Sequence, residues 1–447
     1  MAGFVPHTDG DIAEMLAFLG LSDLDELYAV VPGAIRHAGL DLPGQMSEAD
    51  VVDTLGAIAQ ENLAAGAGAV CFAGGGAYDH EVPAVVRALA GRSEFVTAYT
   101  PYQPEVAQGV LQALFEYQTM VARLAGLEIA NASLYEGAAA LVEAANLAVA
   151  ESKNQRVLCS EGVNPRWVEV LQTFAQGSGR VIERVALRDG VTDFSAIPDE
   201  PAGAIVVAYP NYLGALEDLD VAADAARRTG ALLIVAQDPV AAALCLSPGA
   251  HGADVVVGEG QALGNPLGFG GPYLGLFSCR KSLVRRLPGR LVGETVDVDG
   301  RRAYVTTLRA REQDIRREKA SSNVCTNQAL MAVTTAIQLG WLGTEGLRAV
   351  ALACARGTRY CRDALVAIDG VEPAVHAPVV REFALRTPLD AEVVIDRLLD
   401  EGYLAGIALR EGFEKTGLEG ALLVAVTERR TKTEIDGFAA AFSKAIR

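Results

Sequence analysis

The sequence predicts an α/β fold with a large, doubly wound and mostly parallel sheet, followed by a smaller α+β domain. Short apolar segments alternate with helical segments from about residue 66 to residue 320, and the pattern changes beyond that point. The 447 residues, 51% of them hydrophobic, can bury a large core and divide into more than one domain. We therefore expect a helical arm over residues 1–65, a large α/β domain over 66–325, and long helices with a small C-terminal α+β domain over 326–447.

The N-terminal arm is predicted to consist of short helices with clear start and stop signals. Thr8 or Asp9 can cap a first helix, which Gly20 would end. Ser22 can cap a second helix, and Ser47 can cap a third. Because none of these pieces is long enough to be stable alone, we expect the arm to lie over another surface.

The large domain is predicted from apolar strands that alternate with helices. Helical patterning covers residues 108–125, 138–152 and 218–229. Strands are expected at residues 156–159, 180–185, 203–208, 231–236, 254–257 and 273–277. Parallel strands joined by right-handed crossovers place ligands at the carboxyl ends of the strands, so we expect a site at that edge of the sheet.

The C-terminal region is predicted to begin with long helices over residues 327–339 and 344–367. Strands are then expected at residues 382–386, 403–404 and 421–426. A Thr-Lys-Thr sequence beginning at Thr431 caps a terminal helix that runs to about Phe442.

Composition argues against several classes of function. The formal net charge of −18 argues against a nucleic-acid partner. No apolar run reaches the roughly 18 residues that a membrane span needs, and the N-terminus lacks the features of a signal peptide. Seven cysteines without a C-x-x-C pair fit reduced thiols in the cytoplasm. The five histidines are isolated in the sequence, so no metal site is expected.

Residues 280–319 form a locally basic stretch in this acidic chain. Twelve Lys and Arg residues stand there against six Asp and Glu, a local charge of +6 that leaves −24 for the remainder. Such a stretch can be an arginine-rich surface paired with acidic neighbours, or a docking surface for an acidic partner. The sequence favours the first interpretation and leaves the second open.

The segment GADVVVGEGQALGNPLGFGGPYLG is most informative for a lysine that it lacks. An apolar strand runs here into a glycine-rich loop, and in pyridoxal phosphate enzymes on a large doubly wound domain such a strand delivers the Schiff-base lysine. The loop offers Glu259, Gln261 and Asn265 instead. Neither Gln261 nor Ala262, at the expected lysine position, has a primary amine. The six lysines are found elsewhere, at 153, 281, 319, 415, 432 and 444.

The segment EFVTAYTPYQPEVAQGVLQ contains an aromatic turn between two prolines. Its candidate functional residues are Tyr99, Thr100, Tyr102 and Gln103, which offer hydroxyl and amide groups just before a helix. Residue types alone leave two interpretations equally open: a turn that packs and bonds locally, or a group of side chains presented to a neighbour.

Three further motifs favour structural roles. NASLYEG opens a helix. Catalytic pyridoxal phosphate enzymes bind a phosphate at such a helix N-terminus, but Glu136 already supplies negative charge there. Three glycines from Gly74 could form an anion nest, although a close-packed turn explains them as well. Asp238 lies near the place of a carboxylate that pairs with a pyridinium nitrogen, yet without the lysine a turn with Pro239 is favoured.

These motifs together resemble the P-protein family of the glycine cleavage system, namely the alpha subunit of the two-subunit glycine dehydrogenase (decarboxylating). The resemblance runs over nearly the full length, through blocks that stand in order: RSEFVTAYTPYQPEVAQG, IANASLYEGAAALVEAA, GADVVVGEGQALG, LGFGGPYLG, PGRLVGETVD and REQDIRREKASSNVCTNQAL. The missing lysine agrees with this subunit and not with the beta subunit.

The resemblance implies a fold type I pyridoxal phosphate architecture and a partner of the same fold. The beta subunit would carry the lysine and the cofactor, and two alpha and two beta chains would form a heterotetramer. The complex would decarboxylate glycine and transfer the aminomethyl group to the lipoyl arm of the H-protein. This chain alone is expected to be inactive, with Tyr99, Thr100, Tyr102 and Gln103 contributing to a shared site.

Two alternatives remain beside this interpretation. A stand-alone cofactor enzyme would need an unusually placed lysine such as Lys153 or Lys319, but Lys319 follows charged residues that stabilise its protonated form. A pure scaffold for the beta subunit, with no contribution to the active site, is separated poorly from the favoured function by sequence alone.

Overall fold

The structure is a computed structural model that describes residues 6–37, 39, 41–66, 68–96, 99–320, 322–410, 412–414 and 416–447. Internal contacts divide the chain into two units, with the division between Asn62 and Leu63. The three-domain division expected from the sequence stays a prediction. In the described part of the chain, no helix is both long and apolar enough to span a membrane.

The first unit contains two helices, α1 (Asp9–Leu19) and α2 (Glu48–Gln60), and two 3-10 turns (Leu24–Tyr28 and Gly33–Ile35). Thr8 caps α1 and Gly20 ends it in the left-handed conformation, both as expected. Ser47 caps α2, also as expected. The expectation for Ser22 is wrong, because Asp23 accepts the free backbone N–H of the second segment. Asp23 stands one residue closer than Ser22 to the 3-10 turn Leu24–Tyr28, so its carboxylate caps that turn.

The second unit begins with a large α/β portion. Its strands are β1 (Val70–Cys71), β2 (Ile129–Ala130), β3 (Arg156–Ser160), β4 (Val181–Val185), β5 (Leu187–Arg188), β6 (Val191–Thr192), β7 (Ala204–Tyr209), β8 (Leu232–Gln237), β9 (Val255–Glu259), β10 (Gly275–Cys279), β11 (Leu291–Val296) and β12 (Arg302–Thr307). Its helices are α3 (Ala84–Ala90), α4 (Ser93–Val96), α5 (Gln108–Ala125), α6 (Gly137–Ser152), α7 (Pro165–Ser178), α8 (Leu219–Thr229) and α9 (Gln313–Arg316).

The remainder of the second unit starts at a long helix. It contains α10 (Ala329–Val366), β13 (Glu372–Pro373), β14 (Glu382–Arg386), α11 (Ala391–Asp400), β15 (Tyr403–Leu404), β16 (Ile407–Ala408), β17 (Leu422–Ala425) and α12 (Lys432–Ala445). The backbone of α10 breaks at Gly343, whose φ of 58° and ψ of −174° are not helical. The break explains why the sequence predicts two helices there.

A seven-stranded sheet forms the centre of the second unit, in the order β2-β10-β9-β8-β7-β3-β4. Strands β4, β3, β7, β8 and β9 run parallel, while β10 pairs antiparallel with β9 and with β2. Strands β7, β8 and β9 are almost fully buried, because helices cover both faces of a parallel sheet. The α/β class and the mostly parallel sheet predicted from the sequence are confirmed.

The C-terminal portion has its own antiparallel sheet and its own apolar cluster. Its four strands have the order β13-β14-β17-β16, and apolar residues of α11 and α12 form one buried cluster with those of β14 and β17. Phe72, from the start of the unit, stacks on Phe438 of α12 with ring centroids 4.0 Å apart. Six residues further on, Tyr78 forms hydrogen bonds to Gln261, which follows β9, and to Glu382 at the start of β14.

Candidate functional site

A narrow cleft with a volume of about 80 Å³ lies at the carboxyl ends of β7, β8 and β9. The parallel topology predicts a site at this edge of the sheet. Three parts of the chain meet there: the residues that follow β1, the ends of the central strands, and the start of β14. Its walls include Tyr78, Asn164, Trp167, Asn211, Tyr212, Asp238, Glu259, Ala262, Arg381 and Glu382.

A buried ion pair joins the central sheet to the C-terminal sheet across this cleft. The Nε atom of Arg381 lies 2.6 Å from Oδ2 of Asp238, and both side chains are nearly inaccessible to solvent. The guanidinium also covers the Tyr78 ring, 3.4 Å from its centroid. Oδ1 of Asp238 accepts the N–H of Val240, so the expected turn after Asp238 is present, and its other oxygen is occupied by Arg381.

Glu382 fixes the glycine-rich turn that precedes Tyr78. Its Oε1 accepts the N–H of Gly75 at 2.7 Å, and its Oε2 accepts the Tyr78 hydroxyl at 2.6 Å. A Cβ built on Gly74 would lie 2.4 Å from Oε1 of Glu382, so that glycine is required by close packing. The glycines therefore hold a protein carboxylate.

Gln261 and Ala262 lie where a cofactor lysine was expected. Gln261 is buried, and its Oε1 accepts the N–H of Tyr78 at 2.8 Å. Its Nε2 donates to the carbonyl oxygens of Tyr78 and Asn265, at 3.0 and 2.8 Å. Ala262 contributes a methyl group to the cleft wall. The amide thus connects the two loops, and no described residue in the cleft offers a primary amine.

Two carboxylates occupy the N-terminus of α6. Glu136 accepts the N–H groups of Ala138 and Ala139, at 2.5 and 2.9 Å. Glu259, at the end of β9, accepts the N–H of Gly137 at 2.9 Å. These N–H groups are the donors that would bind a phosphate at a helix N-terminus. Trp167 closes the same turn, since a Cβ on Gly137 would lie 2.1 Å from its ring.

The residues of the cleft do not fit pyridoxal phosphate. A phosphate at α6 would meet two carboxylates instead of free N–H groups. Asp238 is already paired with Arg381, so it is not free to bind a pyridinium nitrogen. With Gln261 in place of a lysine, each of the three anchors of the cofactor is replaced by a contact within this chain.

Burial raises the pKa of Glu382 to about 7, because it outweighs the Arg381 charge and the hydrogen bonds from Tyr78 and Gly75. A carboxyl whose native pKa is raised binds protons in the folded state that the unfolded chain has released. Its stabilising contribution is therefore present near pH 4.5 and is lost as the pH rises through about 7. Burial likewise raises the pKa of Glu259 to about 7.

We expect Glu382→Gln to flatten the loss of stability between about pH 5 and pH 8. The amide keeps the shape of the side chain, accepts from Gly75 through oxygen and donates to the Tyr78 oxygen through nitrogen. Urea denaturation of both proteins across this range measures the difference in slope. Parallel curves for the native protein and the variant would show that Glu382 is ionised throughout.

The aromatic loop of Tyr99, Thr100, Tyr102 and Gln103 does not line this cleft. Tyr99 is 78% exposed and Tyr102 is 44% exposed. The Tyr102 hydroxyl accepts a hydrogen bond of 2.8 Å from Nη2 of Arg290. Thr97 and Ala98, which precede the loop, lie outside the described residues. The predicted contribution of the loop to a shared site stays a prediction.

A second polar cluster lies behind Arg381. Nδ1 of His80 is 2.6 Å from Oε2 of Glu428, and Cys354 Sγ is 3.5 Å from the same oxygen. Their ligand atoms lie within 4.8 Å of one another, a spacing that could hold a metal ion. However, Nη1 of Arg381 lies 2.5 Å from Nε2 of His80, and its charge opposes a second cation there. The cluster extends the buried network, and the expectation of no metal site stays a prediction.

Sequence reasoning missed the residues that fill the cleft, chiefly Tyr78, Arg381 and Glu382. Tyr78 and Glu382 are more than 300 residues apart, and no local pattern links them. One signal was present in the sequence: Arg381 and Glu382 are two charged residues directly before the apolar run of residues 383–385. Buried charges in such positions are paired, which would have prompted a search for partners.

The fold, and a cleft whose polar groups bind one another, define a class of protein. The chain has the architecture of a fold type I pyridoxal phosphate enzyme and lacks the residues that anchor that cofactor. A family model described as glycine cleavage system P-protein matches residues 2–442. The chain belongs to this family. Its fold class and the resemblance noted in the sequence are confirmed.

Individual relatives agree with this assignment. A probable glycine dehydrogenase (decarboxylating) subunit 1 of Moorella thermoacetica is 46% identical over 442 residues, 98% of each chain. The corresponding protein of Desulforamulus reducens is 44% identical over 441 residues, again 98% of each. A crystal structure of glycine decarboxylase (P-protein) in inhibitor-bound form has a TM-score of 0.93 at 44% identity, covering 99% of this chain and 100% of that one.

More distant structures show the fold alone. A sphingosine-1-phosphate lyase from Burkholderia pseudomallei has a TM-score of 0.65 at 17% identity, covering 93% of this chain and 94% of its own. A cysteine desulfurase from Thermococcus onnurineus has a TM-score of 0.63 at 15% identity, covering 91% and 99%.

Proposed function

We propose that this chain is the lysine-free alpha subunit of glycine decarboxylase, the P-protein of the glycine cleavage system. A beta subunit of the same fold carries the lysine and holds pyridoxal phosphate, which supplies the electron sink for decarboxylation. Two alpha and two beta chains form a heterotetramer in the cytoplasm. The complex decarboxylates glycine and transfers the aminomethyl group to the lipoyl arm of the H-protein.

The cleft supports the proposal that the partner, and not this chain, holds the cofactor. A chain with only the lysine missing could still bind the cofactor through its phosphate. Here Glu136 and Glu259 occupy the helix terminus where that phosphate would bind. The subunit 1 names of the relatives imply a partner subunit, and the cleft supports the proposal that this partner holds the cofactor.

The Tyr99–Gln103 loop is our proposed contribution of this chain to the shared site. Pro101 and Pro104 stiffen the loop, which lowers the entropy lost when its side chains contact another surface. Tyr99 is largely exposed and Tyr102 is partly exposed, so both rings can contact a partner, although the Tyr102 hydroxyl already accepts a hydrogen bond from Arg290. They would orient substrate or cofactor without transferring protons.

A purely structural scaffold is the second candidate function. The buried network of Asp238, Arg381 and Glu382 is consistent with a chain that retains its fold without a ligand. The two candidates differ in one respect, which is whether the exposed loop affects turnover.

We expect Tyr102→Phe and Gln103→Ala to leave assembly intact and to lower turnover by roughly tenfold, or about 1.4 kcal/mol of transition-state stabilisation. The measurement is release of labelled CO₂ from carboxyl-labelled glycine by the chain co-purified with its beta subunit. Tyr360→Phe is the matched control, because Tyr360 is 39% exposed and its hydroxyl contacts Asp436 in the C-terminal portion.

Three results distinguish the candidates. A stable complex at a 1:1 ratio, with slower turnover only in the loop variants, supports the full proposal. Unaltered turnover in both loop variants would leave the scaffold function. A chain that never co-purifies with the beta subunit would contradict the heteromeric enzyme itself.

A further inference from the structure

Arg290 differs from the other buried arginines in the described part of the chain. Three arginines are buried there: Arg290, Arg381 and Arg430. Arg381 pairs with Asp238, and Arg430 pairs with Asp79 at 3.1 Å. Arg290 is only 5% exposed, yet it forms no ion pair with any described carboxylate. A buried guanidinium without a counter-charge is unusual, because removing it from water is costly.

The contacts of the Arg290 guanidinium are incomplete. Its Nη2 donates to the neutral Tyr102 hydroxyl at 2.8 Å, and its Cζ lies 4.9 Å from the centroid of the Tyr102 ring. Its Nη1 is buried and has no hydrogen-bond partner among the described residues. A phenol supplies one acceptor and a weak cation–π attraction, whereas a guanidinium can serve two acceptors on one edge.

A second arginine faces the same tyrosine. The Cζ of Arg309 lies 5.9 Å from the centroid of the Tyr102 ring. Other arginines of the basic stretch are neutralised differently: Arg280 lies 3.0 Å from Asp254, and Arg286 lies 2.5 Å from Glu151. Arg309 also lies 3.8 Å from Asp314, so of the two arginines that face Tyr102 only Arg290 has no carboxylate partner among the described residues.

We infer that Arg290, assisted by Arg309, binds an oxyanion in the assembled complex, a carboxylate or a phosphate group. A planar guanidinium recognises either group through two parallel hydrogen bonds, and the unused Nη1 is the donor that such a ligand requires. Tyr102, 44% exposed on a surface loop, covers the guanidinium, so the ligand reaches it by displacing this side chain. The inference rests on the proposed shared site and names the chemistry recognised there.

Two groups in the complex have this chemistry. One is the carboxylate of glycine, and the other is the phosphate of the cofactor held by the partner. The buried position of Arg290 favours such a small group over the acidic surface of another protein, whose side chains would have to enter a closed space.

The test uses the co-purified complex with Arg290→Gln, Arg290→Lys and the control Arg285→Gln. Arg285 is exposed in the same basic stretch, so its replacement makes the same change in charge. The measurements are the KM for glycine, competitive inhibition by acetate, and the Kd of pyridoxal phosphate for the cofactor-depleted complex, followed by absorbance. We expect Arg290→Gln to weaken one class of ligand at least tenfold and Arg290→Lys to weaken it less, because lysine keeps the charge and loses the planar fork.

The pattern of changes identifies the ligand. Higher values for glycine and acetate, with an unaltered pyridoxal phosphate Kd, assign the carboxylate. A higher pyridoxal phosphate Kd with unaltered acetate inhibition assigns the phosphate. An assembled Arg290→Gln complex with every constant unaltered would overturn the inference and leave the proposed function standing. Should that variant fail to assemble, unaltered constants in Arg290→Lys would overturn it instead.

Discussion

Borohydride reduction of the assembled complex is expected to fix pyridoxal phosphate on the partner subunit and to leave this chain unlabelled. A Schiff base requires a primary amine held beside the bound cofactor, and Gln261 and Ala262 occupy that position here. Purified alone and mixed with pyridoxal phosphate, the chain should likewise develop no stoichiometric aldimine absorption. Peptide mapping by mass spectrometry after reduction measures both results.

Labelling of one of the six lysines of this chain would contradict this prediction. A stoichiometric label on any one of them, whether in the complex or in the isolated chain, would contradict the division of labour between the subunits. Weak labelling spread over several exposed lysines is the background, and the same treatment of an unrelated lysine-containing protein sets its level.

Arg381→Met is expected to lower the free energy of unfolding of this chain by about 3–5 kcal/mol, because it leaves Asp238 as a buried charge without a partner. Arg381 also contacts the Tyr78 ring and the imidazole of His80, so three segments lose a common neighbour. Urea denaturation measures the change.

Arg410→Met is the control for this prediction. Arg410 forms an equally short ion pair with Asp390, 2.6 Å, but both side chains are well exposed. Surface pairs contribute roughly 0–1 kcal/mol, so this variant should unfold close to the native protein. The double replacement Asp238→Asn with Arg381→Met should recover part of the loss. Equal effects of Arg381→Met and Arg410→Met would show that burial of the first pair is not what makes it important.

Elements with a strong local pattern could be predicted from the sequence. The helix Gln108–Ala125 has the bounds expected for it, because its apolar face repeats at helical spacing and Gly126 ends it. The hairpin of β11 and β12 was not predicted. Its outer end carries exposed Val296 among charged residues, so it lacks the apolar run that identifies the buried strands.

The site could be predicted only where its signal is local. The position at which a Schiff-base lysine is expected follows a recognisable strand. The sequence therefore shows directly that Gln261 and Ala262 stand there and that no lysine does. The capping of α6 by Glu136 was foreseeable for the same reason. The Asp238–Arg381 pair was not, because it joins segments 143 positions apart, and the sequence favoured a turn with Pro239 over the role of a cofactor carboxylate for Asp238. Contacts formed by tertiary packing leave no periodicity in the sequence.

The two carboxylates at the N-terminus of α6 would hinder any single substitution from giving this chain a pyridoxal phosphate site of its own. A lysine introduced at position 261 or 262 would restore the amine and would still face a helix end closed by Glu136 and Glu259. Removing either carboxylate first would expose unsatisfied N–H groups while the amine was still absent. Each single step back therefore brings a penalty before any benefit. Under the proposed function, this closed helix end would keep the chain dependent on the subunit that holds the cofactor.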